Sequence, residues 1–170
     1  MKKALVVIDM QNDFVDGSLG TPEAQAIVPA VAERVKAAVK NGEKLIFTQD
    51  THRKDYLETA EGKKLPVEHC IKPSRGWGLA AALLPYAKDA VVLEKPTFGA
   101  PGLPPLVADC DVIDLVGLCT DICVISNAML LKAFLPEAKI RVEANCCAGV
   151  TPESHTRALE AMKMCHIDIL

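Results

Sequence analysis

Three residues of unlike type, each near the end of an apolar run, carry the first sign of chemistry: Asp9, Lys95 and Cys123. Cys123 lies in Gly117-Leu-Cys-Thr-Asp-Ile-Cys-Val124, between the apolar run Asp111–Val116 and a helically spaced apolar stretch, Cys123–Phe134. The first run reads as a buried strand and the second as an amphipathic helix, with Thr120 or Asp121 as its cap. A cysteine in the first turn of a helix meets unpaired amides and the positive end of the dipole, which favour a thiolate. The same amides suit an oxyanion formed when that sulfur attacks a carbonyl. The competing reading makes Cys119 and Cys123 small core residues.

A sulfur nucleophile needs a group to take its proton and later return it to the leaving group. Asp9 ends the apolar run Ala4–Ile8, where desolvation would raise its pKa toward a useful value; the alternative is a capping aspartate. Lys95 follows Ala90–Leu93 and precedes Pro96, which suits a cation that steadies Asp9 and the developing negative charge; the alternative is an exposed loop lysine. His155 falls at a helix start and His166 in a late strand, so neither is well placed as the base.

A second group begins at Asp50-Thr-His52 and continues through Glu58, Glu61 and His69. Asp and His two apart at a strand end project to one side, and a returning loop can bring Glu61 and His69 to them. Two imidazoles with carboxylates suit zinc, iron or manganese, with Cys70 a less expected ligand. A solvated polar loop would explain the same spacing. No glycine-rich dinucleotide fingerprint or Walker pattern is present, which leaves nucleotide-phosphate binding by those routes unsupported.

The elements that must position these residues alternate. Strands are expected at Ala4–Ile8, Lys44–Thr48, Ala90–Leu93, Val112–Val116, Ile140–Glu143 and His166–Leu170. Helices are expected at Pro22–Lys40 (capped by Thr21), Gly78–Tyr86, Leu103–Ala108, after Cys123, and at Pro152–Lys163 (capped by Thr151). Gln11–Ser18 reads as a loop, and Gln49–Gly76 as a long irregular segment of the kind that carries function. This alternation implies a three-layer α/β/α architecture around an open, mostly parallel six-stranded sheet, one domain over residues 1–170. Ligands in such sheets bind beyond the carboxyl ends of the strands, where Asp9, Asp50, His52, Lys95 and Cys123 all fall.

Composition narrows the classes. Half of the 170 residues are hydrophobic and the formal charge is −3, without a basic cluster, which argues against a nucleic-acid footprint. No stretch is long enough to span a membrane, and the first apolar run, broken by Asp9, reads as a strand and not a targeting segment. Seven cysteines, an odd number with Cys146 and Cys147 adjacent, point to reduced thiols and a cytoplasmic protein.

The motifs Val6-Val-Ile-Asp-Met-Gln-Asn-Asp-Phe14, Asp50-Thr-His52, Pro66-Val-Glu-His-Cys70, Glu94-Lys95 and Gly117–Val124 run nearly end to end. In them the chain resembles the isochorismatase-like cysteine hydrolases, and within these the nicotinamidases and related amidases. The resemblance implies an Asp9–Lys95–Cys123 triad, a cis peptide before Cys119, and an oxyanion hole from the backbone amides of Cys119 and Cys123. It further implies a substrate pocket involving Gln11, Phe14 and Leu118, and a divalent metal, zinc foremost with iron or manganese as options, on Asp50, His52, Glu61 and His69. The implied reaction releases ammonia from a small primary amide, nicotinamide foremost, a step of NAD salvage, in a homo-oligomer (dimer or tetramer).

Two departures stand out. Arg53–Thr59 holds no second histidine, so Glu61 replaces it with Glu58 in reserve, and Pro66 stands where many relatives carry a ring-stacking tryptophan. Trp77 lies too far along to match that motif. Two other functions compete: a family hydrolase of a ureido or carbamoyl amide that needs no metal, and a thiol redox or metal-binding interaction protein using Cys119, Cys123, Cys146 and Cys147.

Overall fold

The computed structural model describes residues 1–170. Six strands, β1 (Lys3–Ile8), β2 (Lys44–Asp50), β3 (Val91–Lys95), β4 (Val112–Leu118), β5 (Lys139–Ala148) and β6 (Asp168–Ile169), form one sheet in the order β3-β2-β1-β4-β5-β6. Every pairing is parallel. The helices are α1 (Asn12–Val15), α2 (Pro22–Lys40), α3 (Ala60–Lys64), α4 (Leu84–Ala87), α5 (Leu103–Val107), α6 (Ile125–Phe134) and α7 (Pro152–Met164). None is long and apolar enough to cross a membrane.

β1 shows why its apolar run does not alternate with polar residues. Ala4, Val6 and Ile8 enter a core beneath α5, α6 and α7, whereas Leu5 and Val7 enter a second core beneath α2. A central parallel strand is covered on both faces, so both of its side-chain rows must be apolar. α2 contributes Ile27, Val31, Val35 and Ala38 at helical spacing, and Thr21 caps it by accepting from the Ala24 amide. α7 begins with a reciprocal capping box between Thr151 and Ser154.

Several boundaries differ from the sequence expectation. β2 runs on to Asp50 and β5 to Ala148, so Asp50, Cys146 and Cys147 are strand residues. Parallel pairing to β3 and β4 supplies hydrogen bonds that keep these polar or thiol-bearing ends extended. The Gln11–Ser18 loop contains the short helix α1, and the expected Gly78–Tyr86 helix contracts to a 3-10 turn at Ala81–Leu83 followed by α4.

Between β4 and α6 the chain makes a π-helical turn, Thr120–Val124, with no side-chain cap. Neither Thr120 nor Asp121 caps it: Thr120 Oγ1 is 2.7 Å from His155 Nδ1, and Asp121 accepts from the Val150 amide at 3.1 Å. Just before this turn Gly117 has φ 118°, and a Cβ there would lie 2.1 Å from the Ile8 carbonyl oxygen, so only glycine fits. This close approach brings the end of β4 against the end of β1.

Candidate active site and metal centre

Because all strands run the same way, their last residues share one edge. Chain order reverses between β1 and β4, and the crevice there is where open α/β sheets bind ligands. Asp9 follows β1, Asp50 and Lys95 are register partners at the ends of β2 and β3, and Cys123 follows β4.

Lys95, 1% exposed, is the hub. Its Nζ lies 2.6 Å from Asp9 Oδ2, 3.4 Å from Cys123 Sγ and 3.5 Å from Asp50 Oδ1, and donates to the Thr97 carbonyl at 3.0 Å. The other Asp9 oxygen accepts from Thr48 Oγ1 at 2.6 Å. Asp9 has φ 45°, a left-handed conformation that a non-glycine residue adopts at a cost of order 1–3 kcal/mol. The Thr48 hydroxyl and carbonyl both receive its amide and hold it there. Sequence reading missed Thr48, although its place two residues before Asp50, on the same face of β2, is the signal that would have found it.

Burial raises the Asp9 carboxyl above its ordinary 3.8, even against the pull of Lys95. Burial also works against the Lys95 ammonium, but the charges of Asp9, Cys123 and Asp50 outweigh it and raise its pKa. The expected low-pKa Cys123 is not what the structure shows. Burial first, and the Asp9 carboxylate second, push its thiol well above the ordinary 9.0, with Lys95 opposing. A desolvated sulfur beside a carboxylate keeps its proton, and a single π-helical turn does not reverse that. The Cys123 thiol therefore needs a neighbouring group to take its proton, and Asp9 is the carboxyl beside it.

The Leu118–Cys119 peptide is cis. The Cys119 N–H meets no acceptor within the protein. Its thiol is raised to about 12, chiefly by burial, and lines the cavity beside Cys123.

Asp50, His52 and His69 form a buried group whose ligand atoms all lie within 4.8 Å of one another. His52 Nε2 and His69 Nε2 stand 3.0 and 3.5 Å from Asp50 Oδ2, and each is 3.7 Å from Glu61 Oε1. His69 Nδ1 is 2.8 Å from the Val67 carbonyl, which turns Nε2 toward Asp50 and Glu61. Burial alone would raise the Asp50 carboxyl, but hydrogen bonds from both histidines and the Lys95 charge hold it far below its usual range. This donor set fits a divalent cation of the zinc, iron or manganese kind. Glu58 is exposed on the 3-10 turn Tyr56–Glu58, and Cys70, buried with its amide on Asp13, is not among the converging ligand atoms. Tyr56 was not foreseen: its buried ring packs 4.7 Å from His52 and 4.9 Å from His69, centroid to centroid.

A cavity of about 920 Å³ opens over both groups and is walled by Phe14, Phe98, Ile122 and Cys119 among others. Of the three residues expected to line the pocket, only Phe14 does so. Gln11 is fully buried, donating to the Asp50 and Trp77 carbonyls and accepting from the Asp50 amide, so it ties α1 to the end of β2. Leu118 is fully buried in the α2-side core. Trp77 does not wall the cavity either; its indole donates to Thr51. Cys146 and Cys147 enter the two opposite cores.

Comparison with known proteins agrees with this geometry. The nicotinamidase/pyrazinamidase of Mycobacterium tuberculosis is 26% identical, over 99% of this chain and 98% of its own. The crystal structure of nicotinamidase PncA from Bacillus subtilis is 30% identical and superposes with a TM-score of 0.86 over 99% of each chain. The pyrazinamidase of Pyrococcus horikoshii, in complex with zinc, is 26% identical with a TM-score of 0.82, over 100% of this chain and 99% of its own. The isochorismatase domain matches residues 3–169, and the chain belongs to that family.

Proposed function

We propose that the chain hydrolyses a small aromatic primary amide, nicotinamide foremost, to the acid and ammonia. The enzyme is an amide C–N hydrolase. The observation that carries the reading is Lys95 Nζ bridging Asp9 Oδ2 at 2.6 Å and Cys123 Sγ at 3.4 Å beneath an apolar-walled cavity. The names of the three relatives above support a pyridine- or pyrazine-type amide.

In this mechanism Asp9 takes the Cys123 proton as Sγ bonds to the amide carbon, and the carbonyl oxygen becomes an oxyanion facing the Cys119 and Cys123 amides. Lys95 steadies the negative charge passing between Asp9 and the sulfur. Protonated Asp9 then gives its proton to the amide nitrogen, the C–N bond breaks, and ammonia leaves a thioester. Asp9 next takes a proton from water as the hydroxide oxygen bonds to the thioester carbon. The C–S bond breaks, and the proton returns to Cys123.

Asp50, His52 and His69, with Glu61 beside them, would hold the divalent metal, which when bound supplies an electrophilic anchor for a ring nitrogen. A ureido or carbamoyl substrate turned over without metal leaves this convergent, buried ligand set without a role.

Ammonia release should be followed from nicotinamide and from a ureido amide, with metal content measured on the same sample. Nicotinamide turnover lost in Cys123→Ala, and lost on chelation then restored by zinc, iron or manganese, is expected. Ammonia from the ureido amide alone, unaffected by chelator, would sink the nicotinamide reading.

A further inference from the structure

The segment Pro96–Ala100, between β3 and α5, forms one wall of the cavity through Pro96, Thr97 and Phe98. It has no regular structure, yet side chains hold its backbone at four points. Lys95 Nζ donates to the Thr97 carbonyl at 3.0 Å, and Thr97 Oγ1 donates to the Gly99 carbonyl at 2.6 Å. The two remaining anchors come from one side chain. Asn127, 0% exposed on α6, accepts from the Ala100 amide at 2.9 Å and donates from Nδ2 to the Phe98 carbonyl at 3.1 Å. The same Nδ2 donates to the Cys123 carbonyl at 2.8 Å.

A buried amide that uses both its ends this way is not replaceable by an apolar residue of similar size, since three backbone groups would lose their partner. Its position is specific. On one side it grips the backbone of Phe98, whose ring is 46% exposed and faces the cavity; on the other it grips the backbone of the nucleophile. Asn127 Nδ2 is the atom that the Phe98 and Cys123 carbonyls share.

We propose that Asn127 is a positioning residue that sets the gap between the Phe98 wall and Cys123, and thereby the preference for flat ring amides over slim aliphatic ones. A flat ring needs the wall at a fixed distance from the attacked carbon. A two- or three-carbon amide reaches Cys123 whether or not the wall is in place. The proposal rests on the amidase reading above and deepens it to substrate class.

The test measures kcat and KM for nicotinamide and for propionamide in the metal-loaded enzyme, the Asn127→Ser and Phe98→Ala variants, and the double variant. KM for nicotinamide should rise about fivefold or more in each single variant, the equilibrium effect of one lost hydrogen bond or wall contact. Asn127→Ser, which also frees the Cys123 carbonyl, should lower kcat alike for both amides, whereas KM for propionamide should rise by much less than KM for nicotinamide in either variant. Because both residues set that KM through one wall, KM for nicotinamide in the double variant should be no higher than in Phe98→Ala alone. An equal rise in KM on both substrates, or additive rises in KM for nicotinamide in the double variant, overturn the proposal. The Phe98→Ala arm decides the wall's part even where Asn127→Ser folds poorly, since Phe98 is half exposed. Wild-type enzyme that prefers propionamide outright overturns the ring-amide reading itself, independently of how the variants compare.

Discussion

Two groups of buried charge sit on opposite parts of this sheet, and they are built differently. The first is the crevice set of Asp9, Asp50 and Lys95. The second lies where α2 crosses β4 and β5. There Arg141 makes a two-pronged contact with Asp114, and Arg34 reaches Asp114 at 2.9 Å, Glu43 at 2.9 Å and Glu143 at 2.5 Å. Asp114 is 1% exposed, about as buried as Lys95. In the second group, two forked guanidiniums meet three carboxylates in parallel hydrogen bonds, a geometry that satisfies both partners at once. In the crevice, one point-like ammonium is shared among two carboxylates, a thiol and a carbonyl, and the group opens onto a cavity. Burial alone therefore does not mark a catalytic charge. What marks it is buried charge facing a space that a ligand can fill, with a donor shared so that a proton can move.

Breaking each group separately should expose this difference. The largest effect belongs to Asp9→Asn, which removes the proton acceptor and should lower kcat/KM by on the order of 10⁴-fold or more, read as ammonia release. Its melting temperature should not fall in proportion. Asp114→Ala should do the reverse. It leaves the half-buried Arg34 and Arg141 without their shared partner, though Arg34 keeps Glu43 and Glu143, and should cost about 1–3 kcal/mol in denaturant unfolding. Activity of the folded fraction should stay near wild type.

The pH dependence sharpens the comparison further. Asp9 must be a carboxylate to accept the thiol proton, and its pKa is raised, so kcat/KM should fall on acidification at a higher pH than an ordinary aspartate would give. Lys95 and Thr48 both lower that pKa, the charge more than the hydrogen bond, so removing either moves the acid limb upward. Thr48→Val should move it upward and Lys95→Met should move it further, measured from kcat/KM profiles. A limb that moves to lower pH would show that Asp9 is not the base. The smallest effect is a control outside both groups. Thr151→Ala removes half of the α7 capping box and should cost about 1 kcal/mol of stability without changing kcat/KM.

Much of this was legible in the chain itself. Apolar runs gave the strands, and a parallel α/β sheet follows from their alternation with helices. Once the sheet is parallel, residues at strand ends must share an edge, so Asp9, Asp50, Lys95 and Cys123 could be grouped without coordinates. His69 and Glu61 were candidates by residue type, but only motif resemblance set Glu61 ahead of Glu58, because a segment of irregular structure has no periodicity from which to place a side chain.

Other features lay outside what sequence could give. The roles of Gln11, Arg34 and Asn127 depend on partners 39, 80 and 27 residues away. Hydrogen-bond partners across a parallel sheet are separated by a whole crossover and leave no local pattern. The protonation state of Cys123 was inferred from a helix start, a local feature. The direction of its pKa shift is set instead by desolvation and by Asp9, which only the folded chain supplies. Sequence alone thus determined which residues stand at the reactive edge, since apolar runs place the strands and the polar residues that follow them. Tertiary structure decided which of them hold charge, which hold a proton and which merely hold one another, because those are properties of distance and exclusion from water.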